Sequence, residues 1–271
     1  MPKISVIMGI YNCGNTLSEA IDSLLDQTYP DWNLIMCDDG SQDNTLQIAQ
    51  QYRELYPNRI ILLHNEQNMG LNYTLNKCLD EASGEYIARM DGDDLCDPER
   101  FQKQVRFLEE HPEYAIVSSA MNHFDENGIY RTTRLKDFPQ PLDLVYANPF
   151  CHAPVMIRAE AYRAVGGYTV DKRMLRVEDV NLWFKLYTAG YRGHNIPEPL
   201  YSMRDDRNAT ARRKFRYRVN STYTRIKGFQ ALGIPLRYYP YAFKPVLVGL
   251  LPKPVYNYLH RKKTKESRHG K

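Results

Sequence analysis

Apolar runs and segments of helical period alternate along the first ninety residues of the chain. Continuous apolar runs predict four buried strands, at residues 3–10, 34–37, 60–64 and 86–90. Segments with apolar residues at helical spacing predict three helices between them, at about 17–25, 44–52 and 71–82. Strict alternation of strand and helix is typical of a mostly parallel sheet with helices on both faces, so we expect an α/β fold.

Two clusters of carboxylates follow two of these strands. Asp38-Asp39-Gly40-Ser41 comes after the run 34–37, and Asp91-Gly92-Asp93-Asp94 comes after 86–90. The carboxyl ends of parallel strands meet at one edge of the sheet, where ligands of such folds collect. Desolvated carboxylates need a cation or hydrogen-bond donors as compensation. We therefore expect a metal-assisted site for a nucleotide-bearing donor at this edge.

The pattern becomes less regular after these strands. Asp97-Pro98-Glu99 predicts a helix that begins at Pro98, has an acidic first turn and runs to about His111. Strand patterns follow at 114–119, 121–124 and 129–133, with a hairpin turn at Glu126-Asn127-Gly128. Two further helices are predicted, one at 158–165 before Gly166-Gly167 and one at 179–189 before Gly190.

The last part of the chain differs in charge from the rest. Residues 1–203 hold 18 basic and 29 acidic side chains, whereas residues 204–271 hold 18 basic and 3 acidic ones. A basic helix is predicted near 211–232, with an apolar side formed by Phe215, Val219, Tyr223, Ile226 and Phe229. Such a segment is expected to bind phosphate groups, in nucleic acid, in a sugar-nucleotide or in anionic lipid.

Residues 236–259 combine tyrosines, a short apolar centre at 246–251 and basic flanks. Prolines interrupt the segment, and its uncharged stretch is far shorter than the ~20 residues that a membrane-spanning helix needs. Tyrosines and basic residues around an apolar centre are typical of a segment that lies on an anionic membrane surface. No recognised nucleic-acid motif accompanies the tail, so nucleic acid is not an expected partner.

Length and cysteine content limit the class of protein further. A chain of 271 residues with 43% apolar residues can form one large domain with a tail. Its five cysteines show no spacing typical of zinc sites or redox dithiols, which favours a reducing compartment. Met1-Pro2-Lys3 leads directly into an apolar run, without the features of a secretory signal. We expect a cytoplasmic location.

Several short motifs occur together in a characteristic order: Ser5-Val-Ile-Met-Gly-Ile-Tyr11-Asn12, Asp38-Asp39-Gly-Ser41, Asn68-x-Gly70, Ala82-Ser-Gly84-Glu-Tyr86-Ile87, Asp91-Gly-Asp93-Asp94 and Glu178-Asp179. In this order they resemble the family 2 glycosyltransferases with the Rossmann-like GT-A fold, over about residues 3–206. The tail and the segments 149–152 and 176–179 are most similar to bacterial exopolysaccharide and capsular polysaccharide transferases. The resemblance implies a transferase domain at 1–206 and a basic, membrane-associating helical tail at 207–271.

The resemblance assigns metal-binding roles near the second acidic cluster. Asp91 and Asp93 would hold a divalent cation, Mg2+ or Mn2+, that also bridges the diphosphate of the donor. Asp93 is the expected direct ligand, while Asp91 faces the donor nucleotide. Arg204 resembles a donor-site arginine that precedes a metal-binding histidine in many relatives. Asp206 stands in place of that histidine and is the candidate third metal ligand.

Donor recognition is assigned by the same resemblance to the first two strand ends. Asp39 is expected to accept a hydrogen bond from the uracil of a UDP-sugar. Gly9 and Tyr11 belong to the same donor site, with Tyr11 packed near the base. Many relatives place an arginine close to Asn68-x-Gly70 to meet the donor, whereas this chain has Leu-Asn-Tyr at 71–73.

Glu178 and Asp179 are the expected catalytic carboxylates. In similar transferases the second carboxylate of the pair is the general base, so Asp179 would deprotonate the acceptor hydroxyl as it attacks the anomeric carbon and inverts it. The helix N-terminus is expected to lower the pKa of Asp179 and leave a weak base that is available at physiological pH. His152 matches a histidine near the acceptor or the diphosphate.

Each of these residues also has a purely structural interpretation. Acidic clusters commonly form solvated turns or helix caps, which is sufficient to explain Asp38. Glu178 and Asp179 at a helix start can simply complement the helix dipole, worth ~0.3–1 kcal/mol. A lone histidine such as His152 is more often a packing or capping residue.

Three functions follow from these alternatives. The leading hypothesis is an inverting, metal-dependent transfer of sugar from a nucleotide-sugar to a polyprenyl-diphosphate-linked oligosaccharide at the inner face of the plasma membrane. The second is a catalytically silent protein of the same fold that binds or regulates at the membrane. The third, nucleic-acid binding through the tail, has only the charge in its favour.

Overall fold

A computed structural model gives the structure of residues 1–204 and 214–250. Within these ranges a single mixed sheet of nine strands is flanked by α-helices on both faces. The predictions for Asp206 and for the segments 205–213 and 251–271 lie outside the described residues.

The strands fall into an amino-terminal group that alternates with helices and a later group with irregular connections. In chain order they are β1 (Ile4–Ile10), β2 (Trp32–Asp38), β3 (Ile60–His64), β4 (Tyr86–Arg89), β5 (Leu95–Cys96), β6 (Ile116–Asp125), β7 (Gly128–Thr133), β8 (Met156–Arg158) and β9 (Gly193–Arg204).

In the described part of the chain, eight α-helices and three 3-10 segments connect the strands and follow them. The helices are α1 (Leu17–Leu25), α2 (Thr45–Leu55), α3 (Leu71–Glu81), α4 (Arg100–Glu110), α5 (Ala159–Val165), α6 (Glu178–Thr188), α7 (Phe215–Ala231) and α8 (Lys244–Leu250). The 3-10 segments within the described ranges are Pro141–Val145, Lys172–Met174 and Leu236–Phe243.

The predicted parallel sheet forms the amino-terminal half of the structure. Strands β3, β2, β1 and β4 lie side by side in that order, and all three pairs are parallel. Side chains alternate between two faces along β1: Val6 and Met8 pack with α1 and α4, whereas Ile7 packs with α3 and α6. The core therefore consists of two layers, one on each side of the sheet.

The second half of the sheet departs from the parallel pattern. β8 is antiparallel to both β4 and β6, while β9 is parallel to β6 and antiparallel to β5. The sequence pattern did not predict β9, in which Pro197 and Pro199 interrupt the apolar alternation. The two strands predicted at 114–119 and 121–124 are one continuous strand, β6, with an irregularity between His123 and Phe124.

The boundaries of α1, α3, α5 and α6 agree with the sequence prediction to within one residue, α2 ends at Leu55 rather than at Tyr52, and α4 begins later than predicted. This helix begins at Arg100 rather than at Pro98. The Asp97 carboxylate accepts a hydrogen bond from the Glu99 amide (3.0 Å) and holds the preceding residues in a turn. Glu99 is the N-cap, so the predicted acidic first turn is wrong.

The described part of the basic tail packs directly on the rest of the protein. Phe229 of α7 is fully buried and contacts Phe184 of α6, with ring centroids 5.9 Å apart. The predicted apolar side of this helix is only partly covered, because Phe215 and Val219 are each 47% exposed. Among the described helices none has the length and apolar character to span a bilayer. The division at residues 206 and 207 stays a prediction.

Gly228 sets how closely α7 approaches α6. A Cβ atom built on Gly228 would lie 2.2–2.4 Å from ring atoms of Phe184. Alanine normally stabilises a helix interior relative to glycine by up to ~1 kcal/mol. At this position the overlap with a buried ring outweighs that gain, because close-packed cores tolerate added volume poorly.

We therefore predict that Gly228→Ala lowers the free energy of unfolding by about 1–3 kcal/mol. Gln230→Ala, at an exposed position of the same helix, is the control and should change it by less than about 0.5 kcal/mol. Urea unfolding of both variants measures the difference. Equal stabilities would show that α7 does not pack on α6 as described.

Candidate active site

The carboxyl ends of β1 and β2 border one cleft of about 240 Å³. One wall consists of residues that follow β1 and β2 and of the start of α3, including Tyr11, Asp39 and Leu71. The opposite wall consists of Leu175, Arg176 and Glu178 before and within α6, together with Tyr217 of α7. We call this space the central cleft.

Asp39 lines the central cleft and accepts hydrogen bonds from the loop before α3. It is 4% exposed, and its two oxygens accept hydrogen bonds from the Asn65 side chain (2.9 Å) and from the amides of Met69 (2.8 Å) and Gly70 (2.9 Å). These donors compensate for burial of the charge. The carboxylate therefore holds the loop before α3 in place, in addition to the predicted contact with a base.

Two loops are joined at the entrance of the cleft. The Asn12 amide donates to the Ser41 hydroxyl (3.0 Å), and the Gln42 amide donates to the Asn12 side-chain oxygen (2.8 Å). Gly40, between Asp39 and Ser41, has φ +73°, and a side chain there would meet the backbone of Gln67 at 2.8 Å. The turn after β2 thus needs glycine both for its conformation and for the close approach of the next loop.

Gly9 and Tyr11, both predicted donor-site residues, line the central cleft. A Cβ atom on Gly9 would lie 3.2–3.3 Å from Leu71 and Thr74, so glycine allows α3 to approach β1 closely. Tyr11 is 46% exposed, which leaves its ring available to a ligand.

The second acidic cluster is anchored by a buried arginine. Arg89, at the end of β4, is 5% exposed, and its Nη2 donates to the Asp91 carboxylate at 2.6 Å. The Tyr201 hydroxyl accepts from the Asp91 amide (3.1 Å) and donates to the Asp94 carboxylate (2.9 Å). Asp91 and Asp94 are therefore held by protein groups.

Asp93 differs from its neighbours in that no other described residue donates a hydrogen bond to its carboxylate. The side chain is exposed, yet desolvation by the surrounding groups raises the pKa of Asp93, and repulsion by Asp91 adds to the rise against a hydrogen bond from its own amide. Burial and the negative charges of Asp91 and Asp93 raise the pKa of the Asp94 carboxyl to about 8. The cluster is short of positive charge.

Arg204 lies beside this cluster, and its N–H groups donate hydrogen bonds to other groups of the protein. Its amide donates to Asp94 (2.9 Å), its Nε to the main-chain oxygen of Asp93 (3.0 Å) and its Nη2 to Glu19 (2.5 Å). The guanidinium also stacks on Phe124, 4.6 Å from the ring centroid. The predicted direct contact between Arg204 and the donor stays untested.

The acidic cluster fits a divalent cation delivered together with a diphosphate. No group of three or more metal-ligating side chains in cation geometry occurs among residues 1–204 and 214–250. Mg2+ keeps several waters and needs only one or two carboxylates in addition to phosphate oxygens. Asp93, whose carboxylate accepts from no other described residue, meets that requirement with Asp91 beside it, whereas Asp206 lies outside the described residues.

Glu178 and Asp179 occupy the first turn of α6, as predicted. Asp179 accepts hydrogen bonds from the Asn148 side chain (2.7 Å) and from the Val180 amide (2.7 Å). The predicted lowering of its pKa is wrong: burial raises the pKa of Asp179 despite the Val180 amide and the charges of Arg89 and Arg225. Burial and the Asp179 charge also raise the pKa of Glu178.

Arg89 links the two sets of carboxylates electrostatically. Its positive charge lowers the pKa of Asp93, Glu178 and Asp179 against the larger effect of desolvation. The charge therefore acts on the end of β4 and on the start of α6 at once. Asp93, Glu178 and Asp179 thus share the charge of Arg89, while Asp39 and Glu178 line the central cleft.

His152 lies in the same region with a neutral ring. Its Nε2 forms a hydrogen bond with the Tyr168 hydroxyl (2.9 Å), and its ring packs edge-on against Trp183. Burial and the nearby charge of Arg89 keep the pKa of His152 well below its usual value. These contacts are those of a packed histidine, and its predicted role near the acceptor stays untested.

Sequence reasoning missed several residues of this site. Arg89 could have been identified from the sequence. It is a charged residue inside the apolar run 86–90, and because it lies two positions before Asp91, the two side chains share a strand face. No sequence pattern indicates Asn148, Tyr201 or Tyr217. They come from a loop, from β9 and from α7, and only the fold brings them to the site.

The sheet order and the cleft beyond the ends of β1 and β2 agree with the expected GT-A glycosyltransferase fold. Comparison with protein families gives the same class: the description "Glycosyl transferase family 2" matches residues 5–166, and "Glycosyl transferase family group 2" matches residues 86–258. The chain belongs to glycosyl transferase family 2.

Similar sequences include transferases of polysaccharide assembly. "Putative glycosyltransferase EpsE" of Bacillus subtilis is 44% identical over 99% of this chain and 97% of its own length. The UDP-Glc:alpha-D-GlcNAc-diphosphoundecaprenol beta-1,3-glucosyltransferase WfaP of Escherichia coli is 29% identical over 72% of this chain and 74% of its own. This family membership favours a transferase over a silent binding protein.

Solved structures confirm the GT-A fold. Staphylococcus aureus TarS, crystallised with UDP, superimposes with a TM-score of 0.68 at 19% identity, over 93% of this chain and 76% of that one. The mannosyltransferase PcManGT of Pyrobaculum calidifontis, in complex with GDP-Man and Mn2+, gives 0.65 at 19% identity, over 100% and 76%.

We predict that Asp39→Asn destabilises the protein by about 1–3 kcal/mol, because an amide nitrogen would replace one acceptor oxygen and face backbone N–H donors. Glu66→Gln makes the same chemical change at an exposed position of the neighbouring loop and is the control. Thermal unfolding of the two variants without ligand measures the effect. If both melt like the native protein, Asp39 does not organise the loop before α3.

Proposed function

We propose that this protein is an inverting, metal-dependent glycosyltransferase that moves a sugar from a nucleotide-sugar to a lipid-linked oligosaccharide in exopolysaccharide or capsule synthesis. The proposal rests on Glu178, which lines the central cleft together with Asp39 and shares the charge of the buried Arg89 with Asp93 and Asp179. A UDP-sugar is the proposed donor, since Asp39 and Tyr11 border the cleft where a base would lie.

Asp179 is the proposed general base. It would take the proton of the acceptor hydroxyl as that oxygen attacks the anomeric carbon, while the bond to the donor diphosphate breaks on the opposite face. Asn148 orients the carboxylate through its 2.7 Å hydrogen bond. A pKa raised by burial makes Asp179 a stronger base than an exposed aspartate, provided the pH is high enough to deprotonate it.

The negative charge that develops on the leaving diphosphate needs compensation at the end of β4. Asp93 and Asp91 would hold a divalent cation there, with Asp206 as a proposed further ligand. When bound, the cation supplies Lewis-acid stabilisation of the departing nucleoside diphosphate. Arg89 holds Asp91 in position through the 2.6 Å ion pair.

The acceptor is proposed to be a polyprenyl-diphosphate-linked glycan, in line with the acceptor named for WfaP. Such an acceptor lies at the anionic inner face of the plasma membrane and requires the enzyme to be near it. The described tail suits that location, since residues 214–250 hold seven basic and no acidic side chains. Each basic residue near an anionic surface contributes about 1 kcal/mol to binding.

Exposed apolar side chains accompany this charge. Leu236, Phe243, Leu247 and Leu250 are between 47% and 80% exposed in the 3-10 segment and in α8. Tyr146 of the transferase domain joins them, packed edge-on against Tyr241 at 5.1 Å between ring centroids. Apolar groups next to basic ones are typical of helices that insert shallowly into a lipid interface.

For the chemistry, we predict that Asp93→Ala lowers the transfer rate by about 100-fold or more, through loss of the cation site. Asp179→Asn should lower it by about 10²–10⁴-fold, through loss of the base. Radiolabelled sugar transfer with Mn2+ or Mg2+ measures both. Asp80→Asn, an exposed change on α3, is the control. Native rates in both variants would refute the assigned roles.

The pH dependence gives a second test of Asp179. A general base must be deprotonated, so the native rate should fall as the pH drops through its raised pKa. Asn148→Ala removes a hydrogen bond to the charged form and should move this acidic limb to higher pH by about 0.5–1 unit. Asn127→Ala, on the exposed turn between β6 and β7, should leave the limb unchanged.

For the membrane, we predict that the protein sediments with vesicles containing phosphatidylglycerol and not with pure phosphatidylcholine. The double change Leu247→Glu and Leu250→Glu should weaken sedimentation at least about 10-fold, through lost apolar burial and added negative charge. Leu55→Glu alters an equally exposed leucine on α2 and should have no effect. Equal binding of all three proteins would place the lipid contact elsewhere.

A further inference from the structure

Arg176 combines an unusual backbone conformation with a position in the central cleft. Its φ is +65°, in the left-handed region that residues with a side chain rarely adopt. It lies two residues before Glu178 and lines the cleft together with Tyr217 of α7. A strained residue at a ligand-binding surface points to a functional constraint.

Contacts from α7 and α6 fix the backbone on both sides of Arg176. The Asn220 side chain donates to the main-chain oxygens of Leu175 (3.3 Å) and Lys172 (3.5 Å). Val177 is 3% exposed in the core, and α6 begins at the next residue. The left-handed conformation at Arg176 is therefore imposed by its neighbours.

The charge balance of the cleft shows what this side chain can do. Among the described residues that line the cleft, the carboxylates are Asp39 and Glu178, and Arg176 is the only basic side chain. Asp39 is compensated by three N–H donors. The Arg176 guanidinium is thus available for an anion that enters the cleft.

We infer that Arg176 is a donor-binding residue whose guanidinium pairs with a phosphate oxygen of the nucleoside diphosphate. A guanidinium presents paired N–H donors that match phosphate geometry. The inference rests on the proposed function, because it requires the central cleft to hold the nucleotide. It adds a contact from the loop before α6, on the wall opposite the helix start at residues 71–73.

Arg176→Gly separates charge from backbone strain. Glycine adopts positive φ without penalty, so this variant should be at least as stable as the native protein while lacking the guanidinium. Arg176→Ala removes the same charge and keeps the strain. Arg176→Lys keeps a positive charge without the paired donors. Lys172→Ala removes an exposed charge from the same loop and is the control.

Calorimetric titration with Mn2+ present compares UDP, GDP and the nucleosides uridine and guanosine as probes. We expect Arg176→Gly and Arg176→Ala to weaken binding of the preferred diphosphate by about 10- to 100-fold. Binding of the matching nucleoside should not change, and Arg176→Lys should recover part of the loss. Lys172→Ala should bind like the native protein.

The outcomes distinguish the two claims. Diphosphate binding by Arg176→Gly within about twofold of native would overturn the inference. An equal loss of diphosphate and nucleoside binding would also overturn it, because it would indicate a disturbed cleft. If the native protein binds neither diphosphate, the proposed function itself fails.

Discussion

Repulsion between carboxylates is the constraint on which this site depends. At the end of β4, Asp91 raises the cost of ionising Asp93, and both raise that of Asp94. At the start of α6, the charge of Asp179 acts on Glu178 in the same way. Arg89 offsets part of that cost from inside the sheet, and it forms a 2.6 Å ion pair with Asp91. Because Arg89 is 5% exposed, its own charge is stabilised mainly by these carboxylates. The arginine and the acidic cluster thus need each other for the fold as well as for ligand binding.

The remaining imbalance of charge prepares the site for its ligands. Asp91 and Asp94 are satisfied by protein donors, whereas no other described residue donates to the Asp93 carboxylate. A cation bound with a diphosphate would supply the positive charge that the protein does not provide at Asp93. Asp39 shows the opposite arrangement, since its carboxylate is fully engaged in ordering the loop before α3. The first acidic cluster therefore shapes the cleft, and the second is the one at which we propose a cation.

Local patterns predicted the parallel half of the sheet, because each strand there has a short, mostly apolar run. They also predicted the acidic residues at its edge, because carboxylate clusters follow β2 and β4 directly. They did not predict β9, whose prolines break the alternation, or the position of Tyr201 beneath Asp91 and Asp94. The pKa of Asp179 was predicted in the wrong direction, because a sequence shows the helix start and not the burial around it. Asn148 and Tyr217 reach the site from distant segments, so no spacing in the chain could have revealed them.

The position of α7 has a consequence for attempts to recombine such enzymes. Tyr217 of this helix closes one wall of the central cleft, and Asn220 holds the loop before α6. The same helix contacts α8, where exposed leucines and lysine lie. A chimera that exchanged the carboxy-terminal segment with that of a relative would therefore also replace part of the wall of the central cleft. The exposed surface of α8 and the shape of the cleft cannot be exchanged separately by such a swap.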